Sequence, residues 1–101
     1  MRRTHYARRE RDFAYLRWIR SLPCFLCGTE YRSEAAHIGV RAFGRKCEDR
    51  ETAPLCRWCH RTGPHSQHVM GRRFWAHHGI DRMELIAKYQ AEYDEFLREA
   101  A

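Results

Sequence analysis

The sequence predicts a small α+β fold, mainly helical, whose core is a stapled β-hairpin plus helix. Three observations predict it. The chain has 101 residues, enough for one domain and one modest core. Two C-x2-C pairs, Cys24/Cys27 and Cys56/Cys59, stand 28 residues apart, a spacing that ties two distant segments together. Apolar residues recur at helical intervals near both ends, while the middle is made of short pieces cut by glycine and proline. No repeat or low-complexity segment divides the chain.

The elements follow in order, in a single domain over 1–101. Residues 1–22 form a basic N-terminal helix: in RERDFAYLRWIRSLP, Phe13, Leu16 and Ile19 recur every three residues, and Pro23 stops the helix near Leu22. Residues 23–68 form the stapled core. PCFLCG is a tight cysteine turn, and EAAHIGV has extended character. Gly39 and Gly44 bracket a basic loop. A helix is predicted to begin at Ala53-Pro54-Leu55, since proline is tolerated in a first turn. It would carry Cys56, Cys59 and His60 and end at Gly63-Pro64. Residues 69–101 supply C-terminal helices. SQHVMGRRFWAHHG reads as one short helix closed by Gly79, and Asp81 with Glu84 makes a capping box for the last helix. That helix presents Leu85, Ile86, Tyr89, Tyr93 and Phe96 or Leu97 as one apolar stripe, which is read as core rather than as base-stacking surface.

Five cysteines with no secretory signal point to metal rather than disulfides. Four thiolates saturate a tetrahedral Zn2+, so the implied site is closed and structural. Cys24, Cys27, Cys56 and Cys59 are its ligands; Cys47 has no partner at motif spacing and is the spare. A cysteine turn paired with cysteines at a helix start suggests a treble clef. No apolar run reaches the length of a membrane span or signal-peptide core, so the expectation is a soluble, cytoplasmic protein without membrane contact.

Charge is regional. Residues 1–80 hold 16 Lys+Arg against 7 Asp+Glu, a balance of +9, whereas residues 81–101 hold 3 against 6, a balance of −3. Of the 19 basic residues 17 are arginine, whose planar fork suits phosphate oxygens. This balance points to nucleic acid as partner, with Arg41, Arg45, Lys46, Arg57, Arg61, Arg72 and Arg73 as candidate backbone contacts.

His60 follows Cys59 directly and, on a helix, is turned about 100° away from it. It is free to face a second site with His68 and His37, an open histidine site for a second divalent ion. The plainer alternative makes His60 a helix-end cap and His68 a surface residue.

The run C-x2-C, then AHI, then APLCRWCH, then a further histidine resembles the HNH nucleases of the ββα-metal type. In particular it resembles small phage and prophage members related to the RecA-dependent recombination-enhancing nuclease. WIRSLPC and GRRFWAHHGID extend the likeness over roughly residues 12–85. The resemblance implies a metal-dependent endonuclease that hydrolyses DNA phosphodiester bonds, leaving 5′-phosphate and 3′-hydroxyl ends. It makes His37 the general base, His60 the helix-borne ligand of the catalytic ion, and His68 a further ligand or phosphate contact. The four cysteines would hold structural zinc. Ala36 stands where many members carry an acidic residue or histidine, and the chain has no asparagine. Asp49 or Glu51 could fill the gap by holding the hairpin or ligating metal, and His37 could itself be a ligand. A histidine-dominated site favours Zn2+, Ni2+ or Mn2+; participation by Asp49 would admit Mg2+. Two rival readings stand beside this one. The first is a non-catalytic zinc-stabilised nucleic-acid-binding module. The second is an accessory protein that meets a recombinase or other recombination protein through its acidic last helix.

Overall fold

Asp12 starts the first helix: its carboxylate accepts a hydrogen bond from the Tyr15 amide at 3.1 Å, satisfying one free donor of the first turn. A computed structural model describes this element and the rest of residues 11–39 and 48–100. Helix α1 spans Phe13–Arg20 and closes at Ser21, two residues before Pro23. Its buried stripe is Tyr15, Leu16 and Ile19. Phe13, predicted to belong to that stripe, is instead 62 % exposed and lies 4.9 Å under the Arg11 guanidinium.

Strand β1, Ser33–His37, falls on the predicted extended segment. It pairs antiparallel with β2, Thr52–Cys56, in a two-stranded sheet that sets Ser33 opposite Cys56 and His37 opposite Thr52. Strand β2 overturns the predicted helix start at Ala53-Pro54-Leu55. Every residue of Thr52–Cys56 is buried, so the run carries no alternation that would mark it as a strand. Pro54 is tolerated because its carbonyl, which accepts from the Phe25 amide at 3.0 Å, points away from β1. Its missing N–H would lie on that same side, so no ladder bond is lost.

The helical part after β2 is a single π-helical turn, Trp58–Thr62, closed by the Gly63 amide on the Trp58 carbonyl at 2.8 Å. Gly63 must be glycine here, because a Cβ would come within 2.8 Å of that carbonyl and of the Trp58 ring. The predicted helix over SQHVMGRRFWAHHG is two helices, α2 (Gln67–Met70) and α3 (Arg73–His78). They part at Gly71, whose φ of +62° no α-helix continues. Gly79, with φ +68°, ends α3 as expected. Helix α4, Arg82–Ala100, is opened by Asp81, which accepts from the Glu84 amide at 3.1 Å.

The core lies between α1, the sheet and α4: Tyr15, Ile19, Ala36, Ile38, Ala53, Leu55, Phe74, Ile86, Tyr89 and Tyr93 are its buried residues outside the cysteine pairs. Of the predicted α4 stripe, Ile86, Tyr89 and Tyr93 are buried and Leu85 is partly buried, whereas Phe96 and Leu97 are 46 % and 45 % exposed. Tyr93 meets Tyr15 edge-on at 4.8 Å and Trp18 at 5.2 Å, and Arg50 lies over both tyrosine rings at 5.3 Å. Truncating Tyr93 therefore removes a large buried ring and its aromatic partners. Tyr93→Ala is expected to cost about 3–4 kcal/mol, read as a fall in the urea midpoint by circular dichroism. Among the described residues no helix is long and apolar enough to cross a membrane.

Candidate functional site

The cysteine pairs meet. Cys24 and Cys27 sit on the turn after α1, where the Cys24 amide donates to the Thr29 carbonyl and the Gly28 amide to the Cys24 carbonyl, both at 2.9 Å. Cys56 ends β2 and Cys59 lies in the π turn, so the two reach the cluster from a strand and a turn rather than from one helix face. All four Sγ atoms lie within 4.8 Å of one another. The Cys27–Cys56 separation is 3.7 Å, close to the edge of a tetrahedron with zinc–sulfur arms of about 2.3 Å. The set can hold a metal ion such as zinc. Among the described residues it is the one group of three or more His, Cys, Asp or Glu ligands that converges. The thiol environments suit such an ion. Burial, reinforced at Cys59 by the neighbouring sulfurs, pushes Cys56 and Cys59 up, while the Thr29 hydroxyl and amide bring Cys27 down to about 6. A divalent cation would let the four ionise together.

His60 is placed by the π turn and is only 5 % exposed. Its Nδ1 is 2.6 Å from Glu34 Oε1, which also accepts from Arg61 Nε at 3.0 Å. Burial, with the His68 and Arg61 charges nearby, holds His60 below its ordinary value despite Glu34. Burial would raise Glu34, but its bonds to His60 and Arg61 outweigh that and lower it. An ionised carboxylate only accepts, so Nδ1–H donates and the lone pair of neutral His60 is on Nε2. This carboxylate–histidine arrangement leaves Nε2 able to ligate a metal. The His68 ring, exposed on α2, stands edge-on to His60 at 4.6 Å.

His37, at the end of β1, is held by a different carboxylate. Asp49 is fully buried and accepts from His37 Nε2 at 3.0 Å, Arg11 Nε at 2.9 Å and the Asp12 amide at 2.9 Å. Burial alone would raise Asp49, but these three donors hold it below its ordinary value. Nε2–H therefore donates, and neutral His37 keeps its lone pair on Nδ1. With both oxygens engaged by protein donors, Asp49 orients His37 and fastens the start of α1. Glu51 Oε1 accepts from the Glu48 amide at 3.0 Å, which turns that side chain to closing its loop.

The structure thus brings the His60 and His68 rings together, while the His37 ring pairs with Asp49. The link between the two groups is Gln67, next to His68, whose amide donates to the His37 carbonyl at 3.3 Å. Glu34 and Gln67 were missed from sequence. Glu34 lies two residues before Ala36 on the same strand face, whereas the sequence offered Asp49 or Glu51 in place of Ala36, which is fully buried in the core. Gln67 joins His37 across 30 residues and leaves no local signal. Of the candidate arginines, Arg61 is tied to Glu34, Arg72 lines a groove with His68, and Arg57 and Arg73 are exposed. Arg41, Arg45, Lys46 and Cys47 lie outside the described residues.

No curated protein and no solved structure matches the chain. One family does match, described as Protein of unknown function (DUF968), over residues 1–92. With nearly the whole sequence covered by that match, the chain belongs to the DUF968 family.

Proposed function

We propose that the protein is a metal-dependent nuclease of the HNH, ββα-metal type, acting on DNA phosphodiester bonds. The observation that carries this reading is the pair of carboxylate-held histidines. Glu34 leaves the lone pair of His60, whose ring stands 4.6 Å from that of His68, on Nε2, and Asp49 leaves the His37 lone pair on Nδ1. One arrangement suits a ligand and the other a base. The order of a cysteine turn, an antiparallel strand pair and a cysteine-bearing helical turn supports a treble clef around structural zinc.

In this reading His37 Nδ1 takes a proton from the attacking water as its oxygen bonds to phosphorus, and ionised Asp49 stabilises the imidazolium that results. The bond from phosphorus to the 3′ oxygen breaks, that oxygen taking a proton from solvent. His60 Nε2 and His68 would hold a second divalent ion, which supplies charge to offset the phosphoryl oxygens in the transition state. Water and substrate oxygens would complete its shell. Metal-loaded protein is expected to cleave plasmid DNA with one of Mg2+, Mn2+, Ni2+ or Zn2+. His37→Ala is expected to lose about 100-fold or more in rate while keeping its zinc and its DNA affinity. Binding without cleavage by the parent in all four ions would instead establish a non-catalytic zinc-stabilised module.

A further inference from the structure

Beside His68 the surface forms a shallow groove of about 430 Å3, lined by Gln67, His68, Gly71, Arg72, Trp75 and Arg82. Its shape comes from two local features. Gly71 turns the chain sharply between α2 and α3, and Arg82, first residue of α4, folds back over Trp75 with its guanidinium 5.2 Å from the indole centroid. That stacking holds a long side chain which would otherwise lose rotamer freedom on binding.

The charge of the groove is one-sided. No carboxylate lines it. Among the described residues Arg11, Arg50 and Arg61 are each tied to a carboxylate, Asp49, Asp12 and Glu34 respectively, whereas Arg72 and Arg82 have none. Two guanidiniums without a carboxylate partner, lining one groove together with His68, suit a phosphate better than a stabilising ion-pair network. An open, shallow floor suits a chain that runs on past it more than a small molecule it would have to enclose.

We propose that this groove binds a backbone phosphate of a nucleic-acid strand, on Arg72 and Arg82, and so sets the register of that strand against His60 and His68. The placement against those histidines rests on the nuclease reading; the phosphate contact does not. Arg72 and Arg82 are the contacting residues in this scheme and Trp75 is the positioning residue: the indole aims the Arg82 guanidinium.

The test uses full-length, metal-loaded protein without added second ion, and fluorescein-labelled oligonucleotides read by anisotropy across a salt series. R72Q/R82Q is expected to weaken binding about tenfold at about 0.1 M salt. It should also make the log–log salt slope shallower by about one, the loss of one phosphate contact. R17Q/R98Q, which removes the same charge elsewhere on α1 and α4, is expected to stay within about twofold of the parent. Circular dichroism and zinc content check that each variant is folded. Unchanged affinity and slope in R72Q/R82Q, or a loss no larger than in R17Q/R98Q, overturns the proposal. So does a parent that binds no oligonucleotide, or one from which a mononucleotide displaces the oligonucleotide at equal affinity. Cleavage at the parental KM in R72Q/R82Q sinks the groove and leaves the nuclease. Weakened binding in a protein that never cleaves keeps the groove and sinks the nuclease.

Discussion

Removing the metal is expected to unfold the protein. A zinc ion on four thiolates contributes on the order of 10 kcal/mol to folding, comparable with the whole stability of a domain this size, about 5–15 kcal/mol. The described core draws on α1, two short strands and one face of α4, and the cysteines join the turn after α1, the end of β2 and the π turn. Cys24 and Cys27 fix the turn after α1, Cys56 the end of β2, and Cys59 the π turn that carries His60. Chelation, or Cys59→Ser, should therefore abolish the cooperative thermal transition and much of the helical signal. Mass spectrometry should find one zinc per folded chain, and one equivalent should restore the transition after chelation. Cys47→Ser is expected to leave both unchanged, because the four-cysteine set is complete without it. A chelated protein that still melts cooperatively near the parental temperature would contradict the staple.

The second large effect is expected at Asp49. It is fully buried and accepts from His37, Arg11 and the Asp12 amide, so one carboxylate joins the end of β1 to the start of α1. In Asp49→Asn one acceptor oxygen becomes an NH2 that faces donors. The expected cost is about 2–3 kcal/mol, less than for a wholly buried pair because His37 and Arg11 are 31 % and 46 % exposed. The pH dependence follows from the direction of the shift. Asp49 sits below its ordinary value when folded, so its contribution is complete above the unfolded-state value near about 3.9. It fades only as pH falls through the lower folded value. The stability gap between parent and Asp49→Asn should thus not close from pH 7 to pH 5. Urea midpoints at pH 7, 6 and 5 read it directly, and a gap that closes over that range would contradict the assignment.

Much of the frame was legible because its signals are local. The cysteine spacing, the proline after α1, the glycine after α3 and the Asp81 cap each act within a few residues, and the structure places all of them as expected. Strand β2 was misread for a physical reason. A strand buried on both faces shows no alternation, and Ala53-Pro54-Leu55 also satisfies the rules for a helix start. The break at Gly71 was hidden because an isolated glycine is tolerated inside many helices.

The candidate site was legible in its histidines and not in what orients them. Glu34 reaches His60 across 26 residues, Asp49 reaches His37 across 12, and Gln67 reaches the His37 carbonyl across 30. Such partners are chosen by the fold, so no short motif announces them. Each settles a point that residue type alone left open. Asp49 accepts from His37 Nε2, and Glu34 puts a carboxylate behind His60 where Ala36 could not.

The most direct measurement is nitrogen-15 NMR of the histidine side chains in zinc-loaded protein near neutral pH, with and without Mn2+. The expected spectrum has His60 neutral with its proton on Nδ1 and His37 with its proton on Nε2. Added Mn2+ should broaden His60 and His68 first, at substoichiometric amounts. Opposite tautomers at His60 and His37, or Mn2+ that broadens neither His60 nor His68, would contradict a nuclease built on these two carboxylate-held histidines.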